Sequence, residues 1–157
     1  MTTRRRRPPY IGWRETVELL DLELPQMVAK IDTGARTSSL HATKLLVRRR
    51  RGIQHVYFTT SDAEGNPVRR RAPLVEERTI RNPGDGGREE DRPIIECRVR
   101  LGNREWDAEF SLADRTHMQY QVLIGREAIR DRFTVDVAES FVRSEPLPED
   151  DEEDEEA

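Results

Sequence analysis

Apolar residues recur along this chain in short runs of period two, the spacing of a half-buried β-strand rather than a helix. Pro93–Leu101 shows it most clearly: Ile95, Cys97, Val99 and Leu101 share one face, and Glu96, Arg98 and Arg100 the other. Gly102-Asn103 predicts a tight hairpin, after which Trp106, Ala108, Phe110 and Leu112 alternate on the return strand. Similar runs predict strands at Tyr10–Leu20, Met27–Asp32, Ser39–Val47, Ile53–Thr60, Val68–Thr79, Gln121–Ile124 and Phe133–Val137. Turn-forming residues separate them at Asp21–Pro25, Asp62–Pro67 and Asn82–Gly87. One or two turns of helix are expected over Arg126–Arg132. Many short strands, hairpin signals and a single short helix predict an all-β, barrel-like fold.

Within that pattern one turn carries chemistry. Val28, Ala29 and Ile31 form an apolar strand that ends in Asp32, and Asp32-Thr33-Gly34-Ala35 then bends the chain. Leu40, Ala42, Leu45 and Val47 resume an apolar pattern, so Asp32 is expected between two buried strands. Gly34 permits a tight turn or a close backbone approach. Asp-Thr-Gly alone is an ordinary turn sequence. A second stretch, Val122-Leu-Ile-Gly-Arg-Glu-Ala-Ile129, adds weight, because it repeats the plan of an apolar strand, a glycine and a polar turn into helix.

These two stretches together resemble the retropepsin type of aspartic peptidase. The longer runs AKIDTGARTSSLHA (29–42), REWDAEFSLADR (104–115) and VLIGREAIRDRFTVDV (122–137) are similar to one bacterial family labelled ATP-dependent zinc proteases, often encoded beside ATP-grasp glutamate ligases. The resemblance extends from about Ile11 to Val142. It implies a retropepsin-like closed barrel with a dimeric active site, in which each subunit supplies one catalytic Asp32. Two such carboxylates at close range share one proton; one activates water as base and the other serves as acid. By the same resemblance Thr33 would hydrogen-bond across the two-fold axis, and Gly34 would admit the substrate backbone. Ala35, Arg36 and Arg126 would border the substrate, and Gly125-Arg126 would support the turn from behind. The flap hairpin is expected around Asn82–Gly87.

The chain departs from that pattern at Arg36. Viral members place an Asp there, which pairs with the Arg of the later Gly-Arg. Arg36 and Arg126 would be like-charged neighbours unless one faces a ligand. Two readings follow: Arg36 receives an acidic side chain such as glutamate, or it pairs with another carboxylate of the chain.

Composition bounds the rest. The 157 residues suffice for one domain with a modest core, since 34% are apolar and 37% charged. No run approaches 18 apolar residues, so no membrane span is expected. The Arg-rich start has no apolar stretch after it, so no secretory signal is expected. Cys97 is the only cysteine, which suits a reducing cytoplasm. The net charge of −4 conceals a split: residues 144–157 hold nine acidic groups and no Lys or Arg, leaving 27 basic against 22 acidic side chains before them. We therefore expect a disordered basic arm (1–9), a peptidase domain (10–143) and a disordered acidic tail (144–157).

The zinc and ATP labels find little support in the residues. The candidate ligands His41, His55, His117 and Cys97 show no H-E-x-x-H or C-x-x-C spacing, so no metal or other cofactor is expected. No G-x-x-x-x-G-K-[ST] occurs, so any ATP dependence would belong to a partner such as the glutamate ligase. Expected partners are a peptide or protein substrate, polyglutamate among the candidates, and a second copy of the chain. Three alternatives stay open. The Arg clusters 4–7, 48–51 and 69–71 could hold RNA, although interleaved aromatics are sparse; the fold could serve as an inactive peptide clamp; or the chain could be the metallopeptidase its family label states.

Overall fold

The computed structural model describes residues 7–82 and 86–147. The rest of the basic arm and of the acidic tail, and the centre of the Asn82–Gly87 turn, lie outside the described residues. The elements are mostly β. In chain order they are β1 (Tyr10–Gly12), β2 (Arg14–Leu19), a 3-10 turn (Leu20–Leu22), β3 (Leu24–Asp32), β4 (Ser38–His41), β5 (Thr43–Arg50) and β6 (Ile53–Ser61). There follow β7 (Pro67–Asn82), β8 (Arg88–Leu101), β9 (Arg104–Ala113), β10 (Val122–Gly125), α1 (Arg126–Ile129) and β11 (Thr134–Asp136).

Nine strands form one sheet in the order β2-β3-β10-β4-β9-β8-β7-β6-β5. β2 also pairs with β8, through Glu18 opposite Arg100 and Leu19 opposite Val99, so the run from β2 to β8 meets its own first strand. The apolar faces of these strands pack into one cluster that includes Leu19, Ile31, Leu40, Ile95, Val99, Phe110 and Ile124. The alternation along Pro93–Leu112 sets the register of the β8–β9 hairpin, with Cys97 opposite Ala108 and Val99 opposite Trp106. Short β1 and β11 pair in parallel outside the main sheet.

Several boundaries differ from the sequence expectation. Ser39–Val47 is two strands, split at Ala42, and Lys44 early in β5 takes a left-handed φ of 53°. β4 lies between β10 and β9 and is buried throughout. β5 is the sheet edge, and Leu45, Leu46 and Val47 are 43, 42 and 40% exposed. β4 has a neighbour on each side and β5 only one, and that difference decides their burial. Tyr10–Leu20 breaks at Trp13, and the helix ends at Ile129, just before Asp131 adopts a left-handed φ of 65°. β7 and β8 run beyond the predicted ends, and Asn82 pairs with Arg88.

A buried carboxylate closes the structure at its ends. Glu15 is 0% exposed on β2, inside a strand that otherwise alternates conventionally. Its oxygens accept from the backbone N–H groups of Gly12 (2.7 Å), Val142 (2.8 Å) and Arg143 (3.1 Å) and from the Ser144 hydroxyl (2.7 Å). Gly12 is needed beside it, since a Cβ there would lie 2.4 Å from the Glu139 carbonyl oxygen. The Arg14 guanidinium stacks 4.9 Å from the ring centres of both Trp13 and Phe141. Across the molecule, Pro8 and Pro9 carbonyls accept from Thr134. The described chain thus follows the body past residue 143, and Glu145 accepts through its carbonyl from the Thr16 hydroxyl.

Glu15→Gln replaces an acceptor oxygen with a donor facing N–H groups. We expect a loss of about 3 kcal/mol in unfolding free energy, measured by urea denaturation. An unchanged midpoint would show that the carboxylate holds nothing.

Candidate active site

β3 ends at Asp32 because alternation sends Met27, Ala29 and Ile31 into the core, leaving the last carboxylate at the rim. The following turn is closed by its own backbone. Asp32 Oδ1 accepts from the N–H groups of Gly34 (3.0 Å) and Ala35 (3.2 Å), and the Ala35 N–H also reaches the Asp32 carbonyl at 3.2 Å. Oδ2 makes no hydrogen bond among the described residues, so one oxygen is fixed and the other is open. Asp32 is half-buried, while Thr33, Gly34 and Arg36 are exposed.

β10 packs along β3 in parallel, placing Gly125 opposite Asp32 and Ile124 opposite Ile31. From there the chain grips the turn. The Arg126 N–H donates to the Ala35 carbonyl at 2.8 Å, the Glu127 N–H to the Arg36 carbonyl at 3.2 Å, and the Arg126 guanidinium to the Gly34 carbonyl at 3.2 Å. Gly125 has no room for a side chain: a Cβ would lie 2.7 Å from the Thr37 carbonyl carbon and 2.9 Å from the Ala35 oxygen. Its N–H donates to the buried Ser38 hydroxyl at 3.0 Å. Between β4 and β9 the Ser39 hydroxyl donates to the Ser111 carbonyl and the Ser111 hydroxyl to the Ser38 carbonyl, each at 3.3 Å. Neither the β4 serines nor Ser111 was singled out by sequence.

The predicted residues therefore divide by task within this chain. Asp32, Gly34 and Ala35 make the turn, and Arg126 braces it. Arg36 is in no ion pair among the described residues, which disposes of its pairing with a carboxylate of the body described. Thr33 makes no side-chain hydrogen bond among them.

The four metal candidates are dispersed. His41 is on β4, His55 on β6, His117 in the 114–121 loop and Cys97 on β8. Among the described residues no three His, Cys, Asp or Glu side chains gather as a metal site would require, so the zinc label does not fit these residues. Burial, with Asp21 adding to it, pushes the Cys97 thiol up to about 12, which leaves it protonated. His41 instead takes part in the loop that carries Arg115: its Nδ1 accepts from the Arg115 N–H at 2.9 Å and stands 3.9 Å from Asp114. Burial lowers the His41 pKa from 6.5; Asp114 opposes this and Arg115 adds to it.

Arg115 was not singled out by sequence. It is half-buried, and its Nε donates to the Tyr120 carbonyl at 2.9 Å. Burial lowers its pKa, the Arg92 charge acts in the same sense, and the Asp32 carboxylate acts against both. The three charges are therefore within electrostatic reach of one another.

The family model described as RimB-like, "Retropepsin-like aspartic endopeptidase RimB", matches residues 10–146. A Desulfotalea psychrophila protein named probable alpha-L-glutamate ligase is 34% identical over 131 residues, covering 82% of this chain and 28% of that protein. A Shewanella pealeana protein of the same name is 33% identical over 138 residues, covering 86% and 30%. This chain spans under a third of the length of these curated relatives. The crystal structure of a Legionella pneumophila protein of unknown function superposes with a TM-score of 0.73 at 28% identity, over 87% of this chain and 98% of that one.

Two outcomes test the local geometry. Gly125→Ala should lower unfolding free energy by about 1–3 kcal/mol in urea denaturation, since the new methyl meets backbone and not a yielding side chain. For His41, the unfolded chain binds the proton more readily than the folded one, so stability falls as pH drops below 6.5. His41→Asn keeps an acceptor for the Arg115 N–H and cannot titrate; thermal melts between pH 7.5 and 5 should show a shallower pH slope. Equal slopes would remove His41 from the account.

Proposed function

Because the chain belongs to the RimB-like family of retropepsin-like aspartic endopeptidases, we propose that it hydrolyses peptide bonds as a two-fold homodimer, Asp32 of each copy facing the other across a shared groove. The observation that carries the reading is the asymmetry of the Asp32 carboxylate. One oxygen is pinned by two backbone N–H groups and the other is open at the rim. Two such groups meeting at an axis hold one proton between them. The ionised member takes a proton from water as that water attacks the scissile carbonyl; the protonated member stabilises the developing oxyanion, and the leaving amine then receives a proton. A single chain has one Asp-Thr-Gly turn, so the second carboxylate comes from the copy. In this arrangement Thr33 bonds across the axis, Gly34 and Ala35 lie along the substrate backbone, and the tip of the β7–β8 hairpin serves as the flap.

The substrate we propose is a glutamate-rich peptide, including the C-terminal tails that a glutamate ligase would add. Two features support this. Relatives that contain a region like this chain are named probable alpha-L-glutamate ligases, and more than two thirds of their length lies beyond it. Arg36, exposed beside Asp32 and in no ion pair among the described residues, is available to an acidic side chain. A ligase and a peptidase acting on the same tail would set its length. Among the described residues no helix is long and apolar enough to cross a membrane. Cys97 as the only cysteine suits a reducing compartment, and we propose that the protein works in the cytoplasm beside a glutamate ligase.

Asp32→Asn should reduce cleavage of glutamate-rich peptides by at least about 100-fold while leaving the thermal melt in place. An aspartic-peptidase inhibitor should mimic it and a chelator should not. Chelator-sensitive cleavage that survives Asp32→Asn would instead establish a metallopeptidase.

A further inference from the structure

The cations of this chain are partnered unevenly. Across β8, β9 and β2, Arg98 and Arg100 meet carboxylates at 3.0–3.3 Å. Residues 43–61 and 67–75, which make β5, β6 and the first half of β7, hold eight Lys or Arg and no Asp or Glu. Arg48–Arg51 make no hydrogen bond or ion pair among the described residues. Strand pairing sets Arg48 opposite His55, Leu46 opposite Tyr57, and Tyr57 opposite Arg71. Alternation therefore puts Arg48, Arg50, Arg69 and Arg71 on one face, all of them exposed. Like charges this dense repel one another, and the face favours an anion that spreads across it. A single-stranded nucleic acid would need aromatic rings on which to stack its bases. Here Phe58 is 0% exposed, and Tyr57 is the one other aromatic in these strands.

The chain itself carries an anion of suitable form. Residues 149–156 are eight consecutive Asp or Glu. They lie outside the described residues, but the strap that leads to them is placed. The Phe141 N–H donates to the Arg14 carbonyl, the Ser144 hydroxyl accepts from the Thr16 N–H, and the Glu145 carbonyl accepts from the Thr16 hydroxyl. Leu147 then borders a cavity with Met27, Asp62 and Ala63. The strap thus follows β2 and ends beside the β6–β7 turn. Arg69 lies only two residues beyond the Ser61–Pro67 pair that closes this turn. Ten further residues span at most about 35 Å, and the eight of β5 extend about 27 Å.

We propose that residues 148–157 dock on the basic outer face of β5–β7 of their own chain, their carboxylates lying among Arg48, Arg50, Arg69 and Arg71. The short tether holds them there at an effective concentration on the order of millimolar, so individually weak ion pairs suffice. Any acidic peptide that reaches this face has first to displace the tail. Docking of this kind requires no catalytic activity.

Cys97 is fully buried, so Ala157→Cys gives the full chain one accessible thiol for a nitroxide label. The label broadens the amide signals of backbone near it. At about 0.05 M salt the β5 amides should lose more than about half their intensity, and about 0.5 M salt should restore it. Arg48→Gln with Arg50→Gln should restore it too, as should replacing the eight tail carboxylates with amides; a thermal melt confirms that each variant folds. Unbroadened β5 signals at low salt, or broadening that these variants leave in place, would overturn the docking. Broadening of isotope-labelled wild type mixed with unenriched nitroxide-bearing chain would place the tail on a second copy and overturn docking within one chain. Calorimetric titration adds a second measurement. A ten-residue glutamate peptide should bind the amide-tailed chain about 10-fold more tightly than the wild type, the gain expected when a face occupied nine-tenths of the time is freed. Equal affinities, or binding of a homopolymeric RNA that the tail's charge leaves unchanged, would overturn the proposal.

Discussion

The parallel pairing of β10 with β3 is the constraint on which the rest of the molecule depends. Neither strand alone could hold Asp32 in place, because the turn after it has no core of its own. Parallel register brings the end of β10 level with the end of β3, and backbone bonds from Arg126 and Glu127 then take hold of the Ala35 and Arg36 carbonyls. Those bonds require the backbones to approach within the radius of a methyl group, which fixes glycine at 125. β4 lies antiparallel on the other side of β10, and Ser38 ties it to the same glycine. The carboxylate is therefore positioned by main chain and short hydroxyls, with little freedom to relax. Such rigidity suits the proposed dimer, in which this group meets a second one at hydrogen-bonding range.

How much of this could be read from sequence follows from how local each signal is. The strand pair Pro93–Leu112 was legible because alternation and a Gly-Asn turn lie within twenty residues. The Asp32 turn was legible for the same reason, and the family likeness supplied the link to Gly125-Arg126. Leu45, Leu46 and Val47 misled, since alternation records that a strand has an apolar face and says nothing about what covers it. Glu15 was invisible: a glutamate between Arg14 and Thr16 reads as a surface position, and its donors at 142–144 lie some 127 residues away. Arg115 escaped notice in a chain with many arginines, because its neighbours come from three separate strands and a loop.

The surface charges carry less than their number suggests. Arg98 and Arg100 alternate with Glu105, Asp107 and Glu18 across β8, β9 and β2 at 3.0–3.3 Å, but every partner is substantially exposed. Pairs of this kind contribute little individually. They do keep the outer face of the β8–β9 hairpin polar, which leaves its inner face as the only apolar one and fixes the register.

The exposed edge at β5 bears on how copies of this chain can associate. An unpaired edge strand ordinarily invites a neighbour to extend the sheet. Here that strand carries Lys44 and three consecutive arginines, Arg48–Arg50. Two such edges laid side by side would bring like charges together along the seam, so growth of the sheet into a fibre is opposed. Self-association is thereby steered away from this margin, and the rim bearing the carboxylate remains available for it.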